Sequence, residues 1–220
     1  APPAELLEHL LCDLNQVAIA NFGGFAVHAG AVARGEVVAA FPAASETGKS
    51  TLTAACLTLG LHYVSDEALC IDFADDSVVP YPKPLKLSGG AAAMIGIDTP
   101  LGSQSVAVGA ADLGAKPAVC PLRLGHLVLL VRRTGLPVLH RLERAEAVAA
   151  LLAMSFNHYR DPGRSFSLAC RLAVGAQAWR LDYGDPLPAA RLLVGLLDGA
   201  PRPAALAARA VRLRRRPGIP

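Results

Sequence analysis

The sequence predicts an α/β fold with a mixed sheet and flanking helices, and three observations carry that prediction. Apolar runs of strand character come in pairs joined by short turns, as antiparallel hairpins require. Segments with apolar residues at helical spacing separate other such runs, as crossover helices do. A Gly48-Lys49-Ser50 turn falls where a strand hands over to a helix. Hairpins and crossovers together exclude a purely parallel sheet.

Residues 1–22 form the first predicted element. Leu6, Leu7, Leu10, Leu11, Leu14 and Val17 recur at helical spacing, so an amphipathic helix over 4–20 is expected, ending near Asn21 and Gly23-Gly24. Strands over 25–33 and 36–41 follow, joined as a hairpin at Arg34-Gly35. The second feeds into the Gly-Lys-Ser turn, and 51–59 reads as a helix that stops at Gly60. A short strand over 61–65 ends at Asp66-Glu67. Residues 68–73 and 78–81 resemble a hairpin turning at Asp75-Asp76, and the prolines of 80–84 demand an extended loop. Residues 88–120 are rich in Gly, Ala and Pro, with little periodicity. Beyond them a strand over 127–132 is expected to pair with 137–141. Helices are expected over 145–154 and 164–172, a strand over 176–183 and a closing helix over 188–197.

The chain has 220 residues, 53% hydrophobic and 18% charged, with a net charge of +3. This suits one compact domain over 1–220, and a chain of this size hides roughly 70% of its unfolded surface. No apolar run reaches the roughly 18–20 residues of a membrane helix, so no membrane partner is expected. Residues 1–20 lack the basic start and apolar run of a secretory signal, which predicts a cytoplasmic protein. Cys12, Cys56, Cys70, Cys120 and Cys170 form no CxxC pair, so they read as small buried apolar residues. Arg209, Arg212 and Arg214 to Arg216 make a basic tail over 205–220. Without interleaved aromatics it reads as solvated, and nucleic acid is not an expected partner.

The segment Ala43-Ala44-Ser45-Glu46-Thr47-Gly48-Lys49-Ser50-Thr51 is close to G-x-x-x-x-G-K-[ST]. Backbone N–H groups of such a loop converge on phosphate oxygens, and the following helix adds the partial positive charge of its N-terminus. Lys49 would reach the β- and γ-phosphates and Ser50 would ligate magnesium. Ala43 replaces the first glycine of the pattern. Glu46 places a carboxylate inside the loop, where it must turn away from phosphate.

Asp66 and Glu67 end a strand one helix after Lys49. A crossover would return that strand beside the phosphate strand, with its C-terminal end facing the same crevice. One acid could then hold magnesium through water while the other accepts a hydroxyl proton; a turn residue and a surface acid is the plainer alternative. Lys83 and Lys86 share a proline-stiffened loop and either contact an anion or are simply solvated. Arg132-Arg133 at a strand end could neutralise charge, or lie on the surface.

His28-Ala29-Gly30, the hairpin, the loop at 45–50 and Tyr63-Val64-Ser65-Asp66-Glu67 together resemble the catalytic domain of HPr serine kinases. The likeness is strongest over 25–87, with a weaker echo in Phe156-Asn157 and the closing helix. It resembles the short HPr-kinase-like proteins without the N-terminal domain, whose fold is related to ATP-dependent phosphoenolpyruvate carboxykinases. The resemblance implies a P-loop fold of that type, ATP and Mg2+ as cofactors, and an alcohol group as acceptor. Asp66 matches the family's first acid, which takes the serine proton. Glu67 matches the second, usually aspartate, associated with the metal. His28 matches a histidine beside the loop, or is merely a satisfied sheet residue. Ser45 matches the loop serine, whereas Ala43 and Glu46 replace glycines. The later Glu-x-x-Gly-x-Gly signature is missing, which argues against HPr itself and against the reverse phosphorylase reaction. The family's rings imply a homo-oligomer, with the N-terminal helix as an interface.

The expectation is therefore ATP- and Mg2+-dependent phosphorylation of a serine- or threonine-type hydroxyl on a peptide, protein or small molecule. A catalytically silent nucleotide-binding switch or scaffold is the alternative. A carboxykinase-like enzyme ranks last, because this chain is far shorter than that family.

Overall fold

A computed structural model describes residues 3–44, 47–98 and 104–199, with the side chains of 3–9, 11 and 12 outside that description. Ser45, Glu46 and the basic tail at 205–220 lie outside the described residues. The fold is α/β: a mixed sheet flanked by helices.

Helix α1 (Pro3–Asn21) leads into β1 (Phe25–Arg34) and β2 (Val37–Pro42), which pair antiparallel from Ala29↔Pro42 to Arg34↔Val37. Gly35 turns the hairpin at φ +59, the left-handed region that glycine enters without a steric penalty. Helix α2 (Lys49–Thr58) follows the Gly-Lys-Ser turn, and strands β3 (His62–Ser65) and β4 (Ala68–Ile71) come next. Strand β5 (Val78–Val79) closes a hairpin with β4. Strand β6 (Leu85–Ser88), helix α3 (Gly89–Met94) and β7 (Ser105–Val108) fill the stretch without sequence periodicity, β6 and β7 forming a separate two-stranded sheet. Then come β8 (Arg123–Arg132), β9 (Val138–Arg141), α4 (Arg144–Ala153), α5 (Pro162–Gly175), β10 (Gln177–Tyr183) and α6 (Pro186–Asp198).

The large sheet runs β5-β4-β1-β2-β8-β10-β9, with β3 paired to β1 beside β4. Both faces are covered. Phe41, Leu52, Leu57, Leu181, Tyr183 and Leu193 pack one face under α2 and α6. Phe25, Val27, Ala29, Leu151, Leu168 and Leu172 pack the other under α4 and α5. Double coverage explains why the central strands read as apolar runs without alternation.

Two pairings differ from the sequence expectation. Strand β3 does not lie beside β2. It pairs antiparallel with β1, which stands between them, because the far edge of β2 is taken by parallel pairing with β8. Strand β9 does not pair with β8 either. It pairs with β10, which is inserted parallel to β8. The reason is burial: β8 is enclosed by two parallel partners, whereas the exposed Val138, His140 and Arg141 suit β9 to a sheet edge. Strand β8 also begins at Arg123, four residues before the expected start at 127.

The cysteines divide. Cys56 and Cys70 are buried as expected, Cys170 is half-buried and Cys120 is exposed; all four are free thiols. Among the described residues no helix is long and apolar enough to cross a membrane.

Candidate functional site

Strands β2, β8 and β10 are mutually parallel, and β3 runs the same way because β1 is antiparallel to both β2 and β3. Their C-terminal ends therefore meet at one end of the sheet. That geometry brings Pro42, Ser65, Arg132 and Tyr183 to a common edge, the usual place for a ligand in open α/β sheets.

The loop after β2 is built into this edge. Ala43 is buried and its N–H donates to the His28 carbonyl at 3.4 Å, so the backbone there accommodates a Cβ. The Ala44 carbonyl accepts from Thr47 Oγ1 at 2.9 Å and from Lys49 Nζ at 2.8 Å. Gly48 is the N-cap of α2 at φ +91, and its carbonyl accepts from the Leu52 N–H at 2.9 Å. The Tyr183 hydroxyl donates to the Thr47 carbonyl at 3.2 Å and ties the loop to β10. A Cβ on Gly48 would lie 2.8 Å from that hydroxyl. We expect Gly48→Ala to destabilise the protein by about 1–3 kcal/mol, from left-handed strain and this clash; a denaturant titration measures it.

Asp66 and Glu67 occupy a kink in an otherwise continuous path from β3 to β4 along β1. Ser65 Oγ accepts from the Glu67 and Ala68 N–H groups at 3.2 and 3.1 Å, and the Glu67 carbonyl accepts from Ala29 N–H at 3.1 Å. The kink lets adjacent acids share one crevice, which a regular strand forbids.

Asp66 is buried, and burial pushes its carboxyl up to about 6; the nearby Ser50 side chain and the Lys83 and Lys49 cations pull it back, while Glu67 adds to the rise. Its Oδ1 finds no hydrogen-bond partner among the described residues. Lys49 is 6% exposed; burial lowers its ammonium pKa, and the Asp66 and Glu67 charges oppose that shift. Glu67 pairs with Lys83 Nζ at 3.0 Å and accepts from Asn15 Nδ2 of α1 at 3.1 Å. The Tyr63 hydroxyl donates to the Lys83 carbonyl at 2.7 Å and anchors that loop.

His28 stands on β1 with its ring 5.4 Å from that of Phe156. Burial first, then the Lys49 charge, lowers its pKa, so the ring is neutral at physiological pH. By strand alternation with Ala26 and Val32, His28 and Gly30 face the α2 side, while Ala26 packs beneath Ile19 of α1. The floor of the crevice is thus the half-buried His28, with α2 on one side and α1 on the other.

No protein-family model matches the chain, and no curated protein matches it either.

The structure gathers Ala43, Ala44, Thr47, Gly48, Lys49, Ser50, Asp66, Glu67, His28 and Lys83 at this edge. Thr51 is half-buried in the first turn of α2, and Lys86 stands on the exposed side of β6. Several neighbours carried no clear sequence signal. Asn15 meets Glu67 from a position 52 residues away. Arg132, left undecided by the sequence, stacks its guanidinium 4.8 Å from the centre of the Tyr183 ring, and its Nη1 lies 3.7 Å from where a Gly48 Cβ would be. Arg133 turns away to Asp182 at 3.2 Å. Thr53, one helical turn after Lys49, was within reach of helix periodicity alone.

Proposed function

We propose that this chain is an ATP- and Mg2+-dependent kinase with a P-loop fold of the HPr kinase and phosphoenolpyruvate carboxykinase type, phosphorylating a serine- or threonine-type hydroxyl. The observation that carries this reading is the juxtaposition of a buried lysine and a buried carboxylate with an unpartnered oxygen beside a Gly-Lys-Ser helix start. The acceptor is a hydroxyl on a peptide, protein or small molecule, entering over His28.

The loop amides and the α2 N-terminus bind the polyphosphate, and Lys49 exchanges its Ala44 partner for β- and γ-phosphate oxygens. Ser50 and Glu67 would hold magnesium, and a hydroxyl with a carboxylate, completed by water and phosphate, suits that ion. Bound there, magnesium supplies charge neutralisation for the β- and γ-phosphates. Glu67 must first exchange Lys83 and Asn15. Asp66 accepts the proton as the acceptor oxygen bonds to the γ-phosphorus and the bond to the ADP oxygen breaks. Held near 6, Asp66 is mostly ionised at neutral pH yet more basic than an ordinary carboxylate. We expect kcat/KM to rise with pH through about 6 and then level, because only the ionised form is a base; a rate flat from pH 5 to 8 rules Asp66 out.

Strand order supports one direction for the nucleotide. Asp66 lies on the β1–β3 side of the loop and Arg132 on the β8–β10 side, so the γ-phosphate faces the former and the nucleoside the latter. Arg132→Ala should weaken ATP and ADP roughly equally, by about tenfold, through one lost charge-assisted bond. A loss confined to ATP would reverse the assigned direction.

Calorimetric titration with ATP, ADP and GTP, with and without magnesium, tests the whole reading. Magnesium-dependent adenine-nucleotide binding followed by phosphate transfer in a hydroxyl-acceptor screen supports the kinase. Binding without turnover identifies the silent switch or scaffold, and no binding ends both. Exposed Leu10, Leu14 and Val17 on α1 support a homo-oligomer, which light scattering measures directly.

A further inference from the structure

Two buried polar oxygens in this molecule find no hydrogen-bond partner among the described residues and converge on one place. Thr53 Oγ1 and Asp66 Oδ1 both face Gly30 of β1. A Cβ added at Gly30 would lie 2.6 Å from Thr53 Oγ1 and 3.7 Å from Asp66 Oδ1, with the Phe41 ring edge 3.5 Å away. Thr53 is fully buried and Asp66 only 7% exposed, so bulk water does not satisfy either oxygen. Buried hydroxyls and carboxylates are almost always hydrogen-bonded, and leaving one unpaired is costly.

We propose that one ordered water beside Gly30 bridges Thr53 Oγ1 and Asp66 Oδ1 and makes Thr53 a positioning residue for Asp66. The chemistry of the pair suits it. The carboxylate can only accept, so the water donates to Asp66, and the Thr53 hydroxyl donates to or accepts from the water. Two partners are the minimum that holds a buried water in place.

The inference rests on the kinase reading for its functional consequence. Ser50 lies beside Asp66 and favours its ionised form, and it is also the residue assigned to magnesium. When its hydroxyl turns to the metal, Asp66 loses that support. The bridge to Thr53 then keeps the carboxylate aimed at the acceptor. Thr53 touches no substrate; it acts through Asp66.

The test has a structural arm and a kinetic arm. A high-resolution crystal structure of the wild-type protein should show one water within hydrogen-bond distance of both oxygens. A dry contact there, or a direct Thr53–Asp66 bond, overturns the proposal whether or not the protein is a kinase. Thr53→Val keeps the shape and removes the hydroxyl. It should lower kcat roughly 10- to 100-fold, the cost of a misplaced catalytic group, with the dissociation constant for Mg-ATP unchanged. Thr53→Ser should restore the rate. Wild-type kcat in Thr53→Val, or a parallel loss of nucleotide binding, overturns the positioning role. If the wild type binds no nucleotide, the kinase reading fails while the crystallographic arm still decides the water.

Discussion

Asp66→Asn is expected to reduce phosphoryl transfer by roughly two to four orders of magnitude while leaving Mg-ATP bound, because it removes the base and keeps the shape. The same substitution should make the protein more stable. Asp66 has its usual pKa of 3.8 in the unfolded chain and about 6 in the fold, so folding favours the protonated form. Between those values the native state binds more protons, and stability falls as pH rises. The cost of the buried charge is absent below 3.8 and complete above about 6, where it is on the order of 2–3 kcal/mol. Asparagine carries no such cost. Thermal unfolding of Asp66→Asn should therefore show a midpoint several degrees above wild type at pH 7.5, and no advantage near pH 3.5. An equal shift at both pH values would mean that the charge of Asp66 is not what the fold resists.

Lys49→Ala should raise the dissociation constant for Mg-ATP by roughly 100-fold, the usual order for truncating a buried charged group that pairs with a ligand. Lys49 is nearly sealed from solvent, and its ammonium rests on the Ala44 carbonyl, a neutral acceptor that an anionic phosphate readily replaces. Removing it leaves that carbonyl without its lysine partner and Asp66 with Lys83 as its remaining nearby cation. Calorimetry separates this outcome from the Asp66 one. Lys49→Ala loses affinity, whereas Asp66→Asn loses rate, and tight ATP binding by Lys49→Ala would discard the loop assignment.

The two variants also bear on why the site is tense. Burial works against both the Asp66 carboxylate and the Lys49 ammonium, and each is partly stabilised by the charge of the other. Groups held away from their preferred ionisation cluster at functional sites, and an ion-pair network kept only for stability would have less reason to leave a carboxylate oxygen unpaired.

Much of the fold was readable from local signals. Helix α1, the β1–β2 hairpin, α2 and the closing elements fall within a few residues of their expected positions, because apolar spacing and glycine turns act over single elements. The stretch at 88–120 was not readable. Its short β6, α3 and β7 are held by pairing between β6 and β7 and by Leu85, Leu87 and Ala92 in the core, none of which leaves a period in the chain. The strand partners were misjudged for a related reason. Neighbours in sequence are the default pairing, yet β1 separates β2 from β3 and β10 takes the place expected for β9.

The α/β class, the Gly-Lys-Ser helix start and the acidic pair are each written in contiguous residues whose chemistry does not depend on distant partners. Which groups face each other depends on the folded arrangement. It set Asp66 against Ser50 and Gly30, bound Glu67 to Lys83 and Asn15, and drew Arg132 to the loop while sending Arg133 to Asp182. The physical reason is that burial and electrostatic partnership are set by sheet order and by the kink at Ser65. These bring together side chains separated by tens of residues, and they are what turn an ordinary aspartate into a group with a shifted pKa and an unpaired oxygen.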